Sequence, residues 1–152
     1  MKLMIRIHFL PLVAAICFCA VVAVSATAQT KPAAPKVRSE LIVSTDWLAK
    51  NLSNKNVFVL HVTSNQKTYE AGHIPGARFL NMGELLATRE GLANELPPVE
   101  QLQKVFEATG IGNEGKIVLY GDNNGLAAAR AFFTLDYLGH GNRAALLDGV
   151  LE

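Results

Sequence analysis

An α/β domain of three layers, with helices on both faces of a parallel sheet of about five strands, is the fold this sequence predicts. Two observations predict it. From Glu40 onward, short β-rich apolar runs alternate with amphipathic helical stretches, the order that builds strand, helix, strand units. The strongest runs, Val57 to Val62 and Lys116 to Tyr120, are almost continuously apolar, as in strands buried on both faces.

Leu41-Ile42-Val43 is a brief first strand, and Ser44 or Thr45 caps a helix carrying Trp47, Leu48 and Leu52. Val57 to Val62 is the second strand, and Ala77 to Leu80 a shorter third. Pro97-Pro98 opens a helix with Val99, Leu102, Val105 and Phe106 on one face, stopped at Gly110. Lys116 to Tyr120 is the fourth strand. A helix over Leu126 to Leu138 follows, with Leu126, Ala129, Phe133 and Tyr137 on one stripe, and Ala144 to Leu147 closes the sheet.

The N-terminus reads as a processing signal. Lys2 and Arg6 precede an apolar run from Phe9 to Val24, and Ser25-Ala26-Thr27-Ala28 offers small residues for cleavage after Ala28. The alternative is a membrane anchor, but the run is short for a span of about 20 residues. Residues 1–28 are therefore expected to be removed, leaving an exported protein, periplasmic or secreted, with no membrane association. Gln29 to Ser39, with Pro32, Pro35 and scattered charges, is a flexible leader. Residues 40–152 form the single domain.

The chain carries 14 basic and 13 acidic side chains, without the clustered Lys and Arg that nucleic acid or an anionic surface requires. Both cysteines, Cys17 and Cys19, lie in the signal. The mature domain thus has no disulfide, no thiolate nucleophile and no cysteine metal ligand. With His61, His73 and His140 far apart in sequence, no metal or other cofactor is expected.

In parallel sheets, ligands bind where strands end and helices begin. That place is the loop Gly121-Asp122-Asn123-Asn124-Gly125, whose glycines and asparagines tolerate positive φ. The plainer reading is an ordinary turn in which Asp122 or Asn124 caps the helix. Gly110-Ile111-Gly112-Asn113-Glu114-Gly115 matches a dinucleotide-binding spacing, and nearly a phosphate loop with Lys116. Both motifs require a strand before and a helix after, and this stretch has the reverse. Asn51-Leu52-Ser53 is formally a glycosylation sequon.

Tyr69-Glu70-Ala71-Gly72-His73-Ile74-Pro75-Gly76-Ala77 resembles the rhodanese segment YxxGHIPGA. The likeness extends through Val57 to Val62, Ile117 to Tyr120, Leu126 to Arg130, Tyr137-Leu138-Gly139-His140 and Leu146-Leu147-Asp148-Gly149. The pattern is most similar to the first, non-catalytic domain of tandem thiosulfate or 3-mercaptopyruvate sulfurtransferases. The resemblance implies a loop in which a cysteine takes up sulfur as a persulfide, its charge held by backbone N–H groups. Here Gly121 or Asp122 stands where that cysteine would be, so the loop is expected to be pseudo-active and the chain alone inactive.

A second departure is His61, where the family commonly has aspartate; a buried structural histidine and a cleft-facing one are both open. His73 either fixes the turn through hydrogen bonds or, as the resemblance to mercaptopyruvate sulfurtransferases implies, lines a cleft completed by a second domain. It is the substrate-cleft candidate. His140, in a Gly-His-Gly turn, is expected to be structural. The resembling family continues past its last strand into another helix, so the domain is expected to extend beyond Glu152.

Two functions follow. One is the non-catalytic half of an exported sulfurtransferase, partnered by a second rhodanese domain in cis or in trans. The other is a stand-alone binding module with a pseudo-active loop. Hydrolysis by an Asp122 and His61 pair is a third reading that lacks a nucleophile.

Overall fold

The computed structural model of the protein describes residues 40–149. The predicted signal and leader, and the continuation beyond Gly149, lie outside the described residues.

Five strands form one sheet: β1 (Ile42–Ser44), β2 (Val57–Thr63), β3 (Arg78–Asn81), β6 (Lys116–Gly121) and β7 (Ala144–Asp148). Their order is β1-β7-β6-β2-β3, and every neighbouring pair is parallel. Four helices connect them, α1 (Thr45–Asn51), α2 (Gln66–Ala71), α3 (Val99–Ala108) and α4 (Leu126–Tyr137), and a separate hairpin pairs β4 (Ala87–Arg89) with β5 (Leu92–Glu95).

Alternation along the strands divides the core in two. Leu60, Val62, Ile117 and Leu119 face Leu102 and Phe106 of α3 and Ala127, Ala128, Ala131 and Leu135 of α4. Val59, Val118 and Tyr120 point the other way, against Leu48 of α1 and Ala77, with Ile74 packed on them. These two cores are the outer seams of the predicted three-layer fold. The caps also follow the sequence: the Ser44 side chain accepts from Trp47 N, and Pro98 precedes α3.

Three features differ from the sequence expectation. The stripe of Leu126, Ala129, Phe133 and Tyr137 on α4 is its solvent face, with Leu126 63%, Phe133 54% and Tyr137 57% exposed. The face against the sheet is the small one, Ala127, Ala128 and Ala131 with Thr134 and Leu135. Alanines let the helix lie close to strands whose own side chains already fill the seam. Helix α2, unassigned from sequence, buries no residue completely and so leaves no apolar period to read. The hairpin was also unassigned. Its two-residue turn, Glu90-Gly91, has positive φ at both positions (53° and 80°), the turn that suits the twist of paired strands.

The topology also places the site. From the carboxyl end of β2 the chain runs through α2 to β3 on one side, and from β6 through α4 to β7 on the other. The connections diverge between β2 and β6, which leaves a crevice at their carboxyl ends.

Candidate functional site

The loop after β6 sits at that crevice and is curled by its backbone. Asn124 has φ 56° and ψ 33°, and Gly125 follows with φ 81°. Two successive left-handed residues turn the chain sharply into α4, as the Asn and Gly content predicts. Gly121 serves a different purpose. A Cβ there would lie 2.2 Å from the Val62 carbonyl oxygen, because Val62 and Gly121 are register partners in the sheet. Of the two positions that could answer to the family's cysteine, only Asp122 has room for a side chain.

Asp122 reaches across the crevice to His61, with Oδ1 3.3 Å from Nε2. A carboxylate accepts, so Nε2–H donates and, in the neutral ring, Nδ1 keeps its lone pair. His61 is completely buried, and Nδ1 has no hydrogen-bond partner. The structure therefore makes His61 a buried residue that also touches the loop, combining the two alternatives left open by the sequence. It brings together the Asp122 and His61 pair of the hydrolytic reading. The nearby hydroxyl at the end of β2, Thr63 Oγ1, accepts from Asn65 N to cap a turn.

Aromatic rings link this pair to the turn of the GHIPGA segment. His61 stacks on Tyr120, its neighbour on β6, at 4.6 Å and 23°, and meets Tyr69 tilted at 5.8 Å. Tyr69 in turn stacks on His73 at 4.0 Å and 9°. Two hydrogen bonds hold the segment: Tyr69 OH donates to Ala77 O at 2.9 Å, and Ile74 N donates to Tyr120 OH at 2.9 Å. His73 is exposed, and its Nδ1–H donates to Tyr69 O at 2.9 Å. That bond fixes the ring against the turn and leaves Nε2 as the atom able to meet a ligand.

The depression beside the loop, about 290 Å³, is lined by Gly121, Asn124, Gly125, Ile42, Leu146 and Leu147 among others. His73 is not in its walls. Tyr69 and Tyr120 were not singled out from sequence, although Tyr69 opens the YxxGHIPGA segment. Tyr120 meets His61 through the β2–β6 register and Tyr69 meets it from α2, placements that only the tertiary structure reveals.

Burial raises the Tyr120 hydroxyl above its ordinary value of 10.0, with the Ile74 N–H opposing and the charges of Tyr69 and Asp122 adding to the rise. A folded value above the unfolded one means stability is fully present below pH 10.0 and is lost as pH rises through the folded value. Tyr120→Phe is expected to flatten this alkaline loss. At neutral pH it should cost about 1 kcal/mol, since Ile74 N–H loses its acceptor. Denaturant unfolding of both proteins across that range checks both effects.

The other sequence motifs lie apart from the crevice. Residues 110–115 leave α3 and enter β6, which removes the helix start that nucleotide binding requires. His140 is in a turn, its N–H donating to Leu135 O and its carbonyl accepting from Arg143 N. Asn51 Nδ2, the atom of the sequon, donates to Trp47 O. Among the described residues no group of three or more His, Cys, Asp or Glu is placed to hold a metal ion. No described helix is long and apolar enough to cross a membrane.

Relatives share this framework. Over 112 residues the chain is 37% identical to a Saccharopolyspora erythraea protein named "Putative thiosulfate sulfurtransferase", covering 74% of this chain and 39% of that one. It is 37% identical over 101 residues to the sulfur carrier protein TtuD of Thermus thermophilus, covering 66% and 35%. The chain thus spans well under half the length of these relatives. The crystal structure of SseA from Escherichia coli, a 3-mercaptopyruvate sulfotransferase, superposes with TM-score 0.62 at 21% identity, over 75% of this chain and 43% of that one; this likeness shows the fold. The model of the rhodanese-like domain matches residues 44–152, and with the parallel sheet and the crevice at β2 and β6 it establishes that this chain belongs to the rhodanese-like family.

Proposed function

We propose that this domain is the cysteine-free half of an exported sulfurtransferase of the thiosulfate or 3-mercaptopyruvate type, with the sulfur-accepting thiolate supplied by a second rhodanese-like domain. The observation that carries the reading is position 122. The one loop residue able to stand for the nucleophile is a carboxylate bonded to a buried histidine. A carboxylate does not accept sulfur, and it repels an incoming thiosulfate. At a separation of ~4 Å that repulsion is about 1 kcal/mol in water and about 4 kcal/mol at an effective dielectric of 20.

The outer face of α4 supports a partner. Leu126 and Phe133, with Ala129, Met82 and Leu86, line a groove of about 420 Å³, apolar surface of the kind that marks interfaces. The larger part of the S. erythraea relative lies outside the match, where a second domain has room. His73, exposed and ring-stacked on Tyr69, is the residue this half would lend to the shared cleft. Export rests on residues 1–28, with their basic start, apolar run and small-residue end.

The test is thiosulfate:cyanide and mercaptopyruvate:cyanide sulfurtransferase activity of residues 29–152 beside the longest chain the gene encodes. The short chain is expected to show no turnover and a cysteine-bearing longer chain to be active, with His73→Ala lowering the rate of the longer one. Turnover by residues 29–152 alone would sink the reading. A gene that ends after Glu152, with binding of a protein partner at the loop, would favour the stand-alone module.

A further inference from the structure

At the opposite, amino-terminal end of the sheet lies a second pocket, of about 230 Å³. Arg143, just before β7, forms part of its wall. The backbone there is held on both sides, since Arg143 N donates to His140 O and Arg143 O accepts from Ile117 N, the second residue of β6. Its Nη2 donates to Gly112 O, while Nε and Nη1 are buried without a hydrogen-bond partner. Burial lowers the guanidinium's pKa below its ordinary value, with the Glu114 carboxylate opposing. Arg143 as a whole is partly exposed, but its two buried donors left without an acceptor are costly unless one arrives.

The remaining walls say what kind of acceptor fits. Gln103, Asn113 and His140 make most of the wall polar, while Phe106, Ile111, Leu135 and Leu138 supply a smaller apolar side with room for one short hydrocarbon or aromatic body. The planar guanidinium matches the two oxygens of a carboxylate. Glu107 also lines the pocket and disfavours a ligand carrying a second negative charge. The volume exceeds the roughly 150 Å³ of a cavity that accepts benzene, leaving space for a carboxylate. We infer that this pocket is a binding site for a small apolar monocarboxylate, anchored by Arg143 and separate from the loop crevice.

Benzoate titrated into the full chain, followed by NMR of the Arg143 Nε–H and His140 ring signals, tests this. Saturable shifts with a Kd near or below about 1 mM are expected, with no competition from neutral benzyl alcohol. Arg143→Met should weaken benzoate by about tenfold or more. Glu107→Gln, an exposed change on α3 that leaves Arg143 in place, should tighten it a few-fold and decides the matter if the Arg143 variant does not fold. Equal benzoate affinity in wild type and Glu107→Gln, tighter binding of the dianion phenylphosphonate, or no saturation up to about 10 mM would each overturn the assignment.

Discussion

Gly121→Ala is expected to destabilise the domain by about 3 kcal/mol or more, the upper range for overpacking a core, lowering Tm by more than about 10 °C. The cause is steric. The new Cβ would stand 2.2 Å from the Val62 oxygen, 3.3 Å from the Val62 carbonyl carbon and 3.4 Å from Ala127 Cβ. Neither side can yield cheaply. Val62 lies in β2, hydrogen-bonded to strands on both sides, and Ala127 is the buried second residue of α4. Gly72→Ala is the control, because Gly72 has open space around its Cβ position and an extended φ of 174°. Its cost should stay within about 0.5 kcal/mol. Thermal unfolding of the two variants separates the cases; equal melting temperatures would mean that β2 and β6 do not approach as closely as described.

Asp122→Cys is expected to give the largest functional change, from no sulfur uptake to measurable persulfide formation. The substitution removes the charge that repels thiosulfate and places a thiol at about the position of the Asp122 carboxyl carbon, one bond back from the Oδ1 that now meets the Nε2–H of His61. That N–H and the curled backbone at the start of α4 would stabilise a thiolate, so the thiol should ionise below the ~8.5 of free cysteine. The thiolate attacks the outer sulfur of thiosulfate, the sulfur–sulfur bond breaks, sulfite leaves, and the protein holds a persulfide that cyanide removes as thiocyanate. The pH dependence of alkylation and a mass gain of one sulfur atom are the readouts. A thiol that ionises like free cysteine and takes up no sulfur would show that the loop lacks the rest of the cradle. His61→Ala in the same background should return the thiol toward its free value, which assigns the effect to the pair.

Much of the fold was legible because local patterns carried it. The five sheet strands and three of the four helices lie at periodic apolar runs or capped starts, and a period of two or 3.6 residues is a property of adjacent sequence. The loop Gly121 to Gly125 was legible for the same reason, since Asn and Gly after a buried strand predict a tight turn. The GHIPGA segment around His73 was readable as a motif. Helix α2 and the β4–β5 hairpin were not, because neither buries enough apolar surface to impose a period.

What the sequence determined by itself is the layered α/β class, the position of the loop, and the confinement of both cysteines to residues 17 and 19. Only the tertiary structure decided which face of α4 is buried, since a bulky stripe and an alanine stripe both satisfy helical spacing and the strands beneath select the smaller. It also decided that Gly121 is closed to any side chain and that Asp122 meets His61 across 61 positions of sequence. Both depend on the register of two parallel strands joined through distant connections, and register is a relation between segments that neither encodes alone.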